Sequence, residues 1–289
     1  MGSKFDILAE GLAFPEGPVV MADGSVIVVE LAGARITRCW NGRKETVCEI
    51  GGGPNGAAIG PDGALYVCNN GGLDTGRMQS AHGPGHEGRI ERVDLATGRF
   101  ERLYDHCGDN ALSGPNDLVF DRDGRMWFTD LGKHYDRIHE AGGLYTCLPD
   151  GSSIAMINDQ SVGYNGIGLS PDQQDIYVAD TFQARVYRYA RKVAEQRPEF
   201  VATVPGHVGL DSLAMTQAGN VCVGTLYQGA ISTVTPVGEV SSIPYDDTFV
   251  TNIAFGGPDM RSAYITLSAS GRLVRVDWNE PGLPLSFSA

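Results

Sequence analysis

The chain has 289 residues, 42% of them hydrophobic, which is ample for a buried core in one large unit or two. Its formal net charge of −13 argues against a nucleic-acid partner or an anionic membrane surface, since both are gripped by clustered Lys and Arg. With 39 Gly, 15 Pro and recurrent Asp-Gly pairs, the composition favours turn-rich β-structure over helix bundles.

The first residues, MGSKFDILAEGL, lack a basic start followed by a long apolar run, so no secretory leader is expected. No apolar stretch approaches the roughly 20 residues that cross a bilayer. A cytoplasmic protein follows as the expectation. Further along, one phrase recurs six times: an apolar run, a turn and a second apolar run. It reads FPEGPVVMADGSVIVVE from Phe14, GPNGAAIGPDGALYVCN from Gly53 and GPNDLVFDRDGRMWFTD from Gly114. It returns as GYNGIGLSPDQQDIYVAD from Gly163, GLDSLAMTQAGNVCVGT from Gly209 and VTNIAFGGPDMRSAYITL from Val250. Asp-Gly or a near-equivalent makes each turn, because those residues tolerate the positive φ of a tight hairpin.

Between the phrases lie further strand-like runs: RIERVDLATGRFERLY (Arg89 to Tyr104), RVYRYARK (Arg185 to Lys192) and GRLVRVDW (Gly271 to Trp278). The leading polar residues are Glu16, Asn55, Asn116, Asn165, Asp211 and Asn252, separated by 39, 61, 49, 46 and 41 residues. That spacing predicts an all-β, six-bladed propeller of four-stranded blades, one domain over residues 1–289. KFDILAEGL (Lys4 to Leu12) supplies the last blade's outer strand and closes the ring between the two ends of the chain.

Each leading residue stands seven positions before its turn, so all six occupy one structural position, just ahead of the innermost strand at one mouth of the channel. One Glu, one Asp and four Asn therefore converge. Two carboxylates crowded together repel, and one takes a proton unless a cation separates them. An oxygen-only set of charged and amide groups suits a hard divalent ion, Ca²⁺ first. The ring has no Cys or His, which argues against structural zinc.

Several other signals carry less. His82 and His86 sit in HGPGH, which cannot form a metal-binding helix turn. GGGPNG (Gly51 to Gly56) precedes a strand and so lacks the amide array of a phosphate cradle. Ser212 has no matched His and reads as a packing residue. Cys39, Cys48, Cys68, Cys107, Cys147 and Cys222 form no Cys-x-x-Cys pair and read as free, mostly buried thiols. The loops Asn70 to Gly88 and Leu131 to Gly143 hang over the ring's mouth by strand order and are expected to shape a substrate pocket, with His134, in the second, and His207 as candidate substrate contacts.

The segments FPEGPV, GPNDLVFDRDGRMWFTD, YNGIGLSPD and GLDS resemble the SMP-30/gluconolactonase/luciferin-regenerating-enzyme family over essentially the whole chain. The resemblance implies a divalent metal, usually Ca²⁺ with Mg²⁺, Mn²⁺, Zn²⁺ or Fe²⁺ as alternatives, held by Glu16, Asn116, Asn165 and Asp211. Asn55 and Asn252 complete the ring as candidate substrate contacts. The implied reaction is hydrolysis of a small lactone, with Asp211 as general base or the cation activating the water, in a monomer or small homo-oligomer. Organophosphate hydrolysis and a non-catalytic calcium-binding propeller are the alternatives. Animal members carry Arg two residues before the Asn of the third phrase; here Gly114 stands there, which weighs against a strongly anionic or polyhydroxylated substrate.

Overall fold

β-Branched and aromatic runs such as Val26–Glu30 (VIVVE) and Ser262–Leu267 (SAYITL) pair as antiparallel strands because each is bounded by a turn. In the computed structural model, which describes residues 5–158, 163–192 and 197–288, these runs form six four-stranded sheets. The inner strands are Pro15–Val20, Pro54–Ile59, Pro115–Phe120, Tyr164–Leu169, Gly209–Met215 and Val250–Gly256, which open blades 1 to 6. Each packs against the next around the axis, and the sixth against the first. Exposure rises outward: Pro115–Phe120 is buried throughout, whereas the outermost Val240–Pro244 is mostly exposed. The protein is a six-bladed β-propeller, and no helix occurs among the described residues.

Blade 6 closes the ring as the sequence predicts. Asp6–Ala9 pairs antiparallel with Arg272–Asp277, and Arg275 donates to Asp6 across the joint at 2.8 Å. Lys4, part of the predicted strand, lies outside the described residues. The hydrophobic core is divided into six, one cluster between each pair of neighbouring blades. Between blades 1 and 2, for example, Val19, Ile27, Val29 and Ile36 meet Ile59, Leu65, Val67 and Val93. Cys39, Cys48, Cys68, Cys147 and Cys222 are buried in these layers as free thiols, with Cys107 half-buried.

The turn of each phrase is the same turn. Its last residue, eight positions after the leading residue, has positive φ in all six blades: Gly24, Gly63, Gly124, Gln173, Gly219 and Met260. Three two-stranded hairpins add to the predicted plan. Two lie inside the mouth loops, Leu73–Asp74 with Gln79–Ser80 and His134–Tyr135 with Ile138–His139. The third, His106–Cys107 with Asn110–Ala111, sits in the link from blade 2 to blade 3 and adds to the long 61-residue interval. On the axis a largely apolar cavity of about 540 Å³ extends from Asp117 and Asn252 to the C-terminal residues Leu283 to Ser288, which cross its other end.

Candidate functional site

The six leading residues lie within the first three residues of their inner strands, not ahead of them as the spacing predicts. The physical reason is a pairing irregularity at that point in every blade. The register shifts between Glu16 and Val19, Pro54 and Ala57, and Pro115 and Leu118. It shifts again between Tyr164 and Ile167, Leu210 and Leu213, and Val250 and Asn252. An extra residue in one strand breaks the ladder and re-aims side chains, which lets an extended segment begin inside the strand yet turn polar groups to the axis.

Contacts run round the ring from blade to blade. Gly17 follows Glu16 with φ 49°, and a Cβ built there would stand 2.6 Å from the Asn55 carbonyl oxygen. Gly56 follows Asn55 and lies equally close to the backbone of Asn116 and to Asp117. The Thr129 hydroxyl donates to the Asn165 carbonyl, joining blade 3 to blade 4. Ser212 Oγ lies 3.5 Å from Asn165 Oδ1, joining blades 4 and 5, and a Cβ on Gly224 would strike the Thr251 carbonyl of blade 6. Asn252 Nδ2 donates to Glu16 Oε2 at 3.3 Å and completes the circuit. Glu16, Asn55, Asn116, Asn165, Asp211 and Asn252 are each 7% exposed or less.

Two observations concern what this ring lacks. The side-chain oxygens Oδ1 of Asn55 and Asn116 are buried without a hydrogen-bond partner. Orphaned carbonyl oxygens of this kind are uncommon in folded proteins and call for a missing donor or ion. The carboxyl groups are also poorly compensated. Burial, then the nearby charge of Asp211, pushes Glu16 well above the usual carboxylate range. Burial likewise pushes Asp211 up to about 7, opposed by hydrogen bonds from Asn165 and the Ser212 amide.

A third carboxylate belongs to the site, and reading one residue per blade misses it. Asp117, directly after Asn116, is 6% exposed, accepts the Leu118 amide at 2.8 Å and is pushed up to about 7 by burial. Its charge bears on both Glu16 and Asp211. The Asn-Asp pair is visible in the third phrase, but only the bulge places its second member near the axis. Orphaned amide oxygens beside mutually repelling carboxyls fit a hard divalent cation. Among the described residues no group of three His, Cys, Asp or Glu side chains is disposed to hold a metal by itself, so an ion here needs the amides.

Above the ring the two mouth loops dock on one another. Lys133 Nζ donates to the carbonyls of Ala81, at 2.8 Å, and His86. The His134 amide donates to Ser80 Oγ at 3.1 Å, and the His82 and Tyr135 rings stack at 3.9 Å. His134 also stacks on His139, and Phe182 of blade 4 stands edge-on to both. Across the mouth, His207 stacks on Tyr227 at 5.4 Å in a second run of rings that continues to Phe249 and Phe14. His86 Nδ1 is engaged with the Gly71 carbonyl, and Ser212 is fully buried.

Comparison with known proteins bears on this arrangement. A lactonase, drp35, from Staphylococcus saprophyticus is 26% identical over 252 residues, covering 82% of this chain and 71% of the relative. A gluconolactonase from Zymomonas mobilis is 25% identical over 207 residues, 64% of this chain; the match spans only 53% of that relative. The solved structure of a gluconolactonase from Xanthomonas campestris superposes with a TM-score of 0.75 at 23% identity, over 94% of this chain and 88% of the other, a likeness of fold. The family model for the SMP-30/Gluconolactonase/LRE-like region matches residues 14–269, from just ahead of Glu16 to just past the last inner hairpin, and the chain belongs to that family.

Proposed function

We propose that the protein is a divalent-cation-dependent lactonase acting at the ring of leading residues. The observation that carries this reading is the convergence of Glu16 and Asp211 with buried amide oxygens that have no protein donor, at the mouth of the channel. Names given to relatives, lactonase and gluconolactonase, support the reaction class.

Glu16, Asn116, Asn165 and Asp211 would hold the ion, with two carboxylates balancing a 2+ charge. Ca²⁺ is the first choice for such a set. When bound, the cation supplies Lewis acidity toward the lactone carbonyl. The chain's own groups do the rest. Asn252 and the Gly17 amide fix one Glu16 oxygen, at 3.3 Å each. The Ser212 amide fixes Asp211 Oδ1 at 3.0 Å. Holding the ion through one oxygen, Asp211 would take a proton from the attacking water with the other, as general base. Asn55 presents an unpaired carbonyl oxygen at the same mouth, where it can orient water or substrate.

A pH-stat assay on δ-gluconolactone and paraoxon, with and without chelator, tests the reading. Lactone opening is expected, lost on chelation and restored by Ca²⁺. Asp211→Asn keeps an amide oxygen for the ion but removes the base; turnover should fall by about 10²–10⁴-fold while added Ca²⁺ still raises the melting temperature. Near-normal turnover in that variant would refute the assignment, and paraoxon cleavage without lactone opening would move the protein to the phosphotriesterase class.

A further inference from the structure

Phe14, Phe249, Tyr227 and His207 form a continuous wall of rings beside the ring of leading residues. Centroids are 5.9 Å apart from Phe14 to Phe249, 6.0 Å from Phe249 to Tyr227 and 5.4 Å from Tyr227 to His207. The four come from different connections: those entering blades 1, 6 and 5, and the hairpin of blade 5. Phe14 stands two residues before Glu16, and Phe249 three before Asn252. At extended spacing the wall begins roughly 7–10 Å from those side chains' backbone.

The wall is held in an unfavourable backbone shape. Phe14 has φ 58° and Tyr227 φ 68°, the left-handed region that bulky residues avoid. Phe14 also precedes Pro15, which narrows its choices further. Tyr227 remains 52% exposed, so burial of its ring does not compensate. Backbone bonds impose the shape: the Leu31 amide to the Phe14 carbonyl at 3.0 Å, and the Tyr227 amide to the Thr248 carbonyl at 2.8 Å. Asp247 accepts the Phe249 amide at 2.7 Å and the Ser270 amide at 2.8 Å, fixing the third ring. Strain of this kind, kept at a mouth on the half-buried Phe14 and the exposed Tyr227, points to a function for the rings themselves.

The chemistry of the wall selects its ligand. Residues 12–15, 204–209, 226–229 and 245–252 contain no Lys or Arg; their charged side chains are Asp246 and Asp247. Arg272, the cation that reaches these connections, is paired with Asp246 at 3.1 Å and donates to Ser270 Oγ at 2.7 Å, so a carboxylate-bearing substituent must compete with Asp246 for it. A hydroxyl-rich one would shed water against ring faces that return few hydrogen bonds. A flat or alkyl group instead gains contact and loses ordered water. We infer that Phe14, Tyr227 and Phe249, with His207 at the outer end, form the subsite for an apolar substituent of the substrate, so that the preferred lactone carries an alkyl or aryl group in place of sugar hydroxyls. This rests on the lactonase reading above.

Steady-state kinetics on δ-gluconolactone and δ-decalactone test it, since both are six-membered lactones that differ in their substituents. The wild type should favour δ-decalactone in kcat/KM by about tenfold or more, carried by KM. Phe249→Ala and Tyr227→Gly should each lower that preference by about fivefold through KM. Tyr227→Gly should do so without lowering the melting temperature, because glycine is unstrained at this φ; a purely structural Tyr227 would lose stability and leave the preference unchanged. A wild type that favours δ-gluconolactone, or variants that affect both substrates alike, overturns the proposal. Should neither lactone be opened, the hydrolytic reading fails separately. The lactam analogue of δ-decalactone then decides by calorimetry: saturable binding weakened by Phe249→Ala upholds the subsite, and no binding overturns it.

Discussion

At the scale of single residues, the ring depends as much on missing side chains as on present ones. Glu16, Asn55 and Asn165 are each followed by glycine, and at each the neighbouring blade's backbone occupies the space of a Cβ. Gly17 is the most constrained, with φ 49° and the Asn55 carbonyl 2.6 Å from the added carbon. Gly17→Ala should therefore cost about 2–4 kcal/mol and, by spreading blades 1 and 2, weaken the response of the melting temperature to Ca²⁺. Calorimetric melts with and without the ion measure both; an unchanged pair would mean the inner strands tolerate separation. The leading residues were legible because the blade repeats them at a fixed distance from a turn. Asp117 was not, because one blade alone carries a carboxylate there and its direction is set by the bulge. The orphaned oxygens of Asn55 and Asn116 are likewise a property of packing, which no single-residue pattern encodes.

At the scale of elements, the ends of the second strands explain how the mouth loops are held over the ring. Glu30, Asn69, Asp130 and Asp180 close these strands in blades 1 to 4, all buried. Each accepts loop amides: Glu30 that of Ala13, Asn69 those of Gly53 and Gly71, and Asp180 those of Phe182 and Gln183. Asp130 accepts three, from Ser113, Gly114 and Gly132, at 2.7–2.9 Å. Asp130→Ala strands two buried donors and a half-buried third, at about 1–3 kcal/mol for each buried one, so a loss of roughly 3 kcal/mol is expected. Hydrogen exchange at Gly114 and Gly132 should rise at least as much as global unfolding requires, whereas Asp130→Asn, which keeps one acceptor oxygen, should lose less. Equal melting temperatures for wild type and Asp130→Ala would show that the loops are held by their mutual docking, through Lys133, His134 and the His82–Tyr135 stack, without Asp130. The polar ends of these strands were visible in the sequence. The hairpins they support were not, because two-residue strands are too short to carry an alternation.

At the scale of the whole molecule, folding drives three carboxylates together before any ion compensates them, and the consequence is a pH dependence of definite sign. Burial raises Asp117 and Asp211 to about 7 and Glu16 in the same direction, whereas the unfolded chain titrates these groups near 4. Between those limits the native state binds more protons than the unfolded one, so stability present below about pH 4 is lost as pH rises toward 7. For a carboxyl displaced that far the loss is on the order of 4 kcal/mol, less where the carboxyls share one proton. The metal-free protein should thus melt at a lower temperature at pH 7 than at pH 5. The net charge of −13 adds to this slope through self-repulsion, so the ring's share must be isolated. Asp117→Asn with Asp211→Asn removes the buried titration and should flatten the slope while leaving the surface charges to act. Saturating Ca²⁺ should reverse the slope in the wild type, because an ion that favours the ionised carboxylates is displaced by protons on acidification. A metal-free wild type whose melting temperature rises from pH 5 to 7 would mean that the carboxyls do not meet at the axis, and both the cation site and the chemistry assigned to it would fall together.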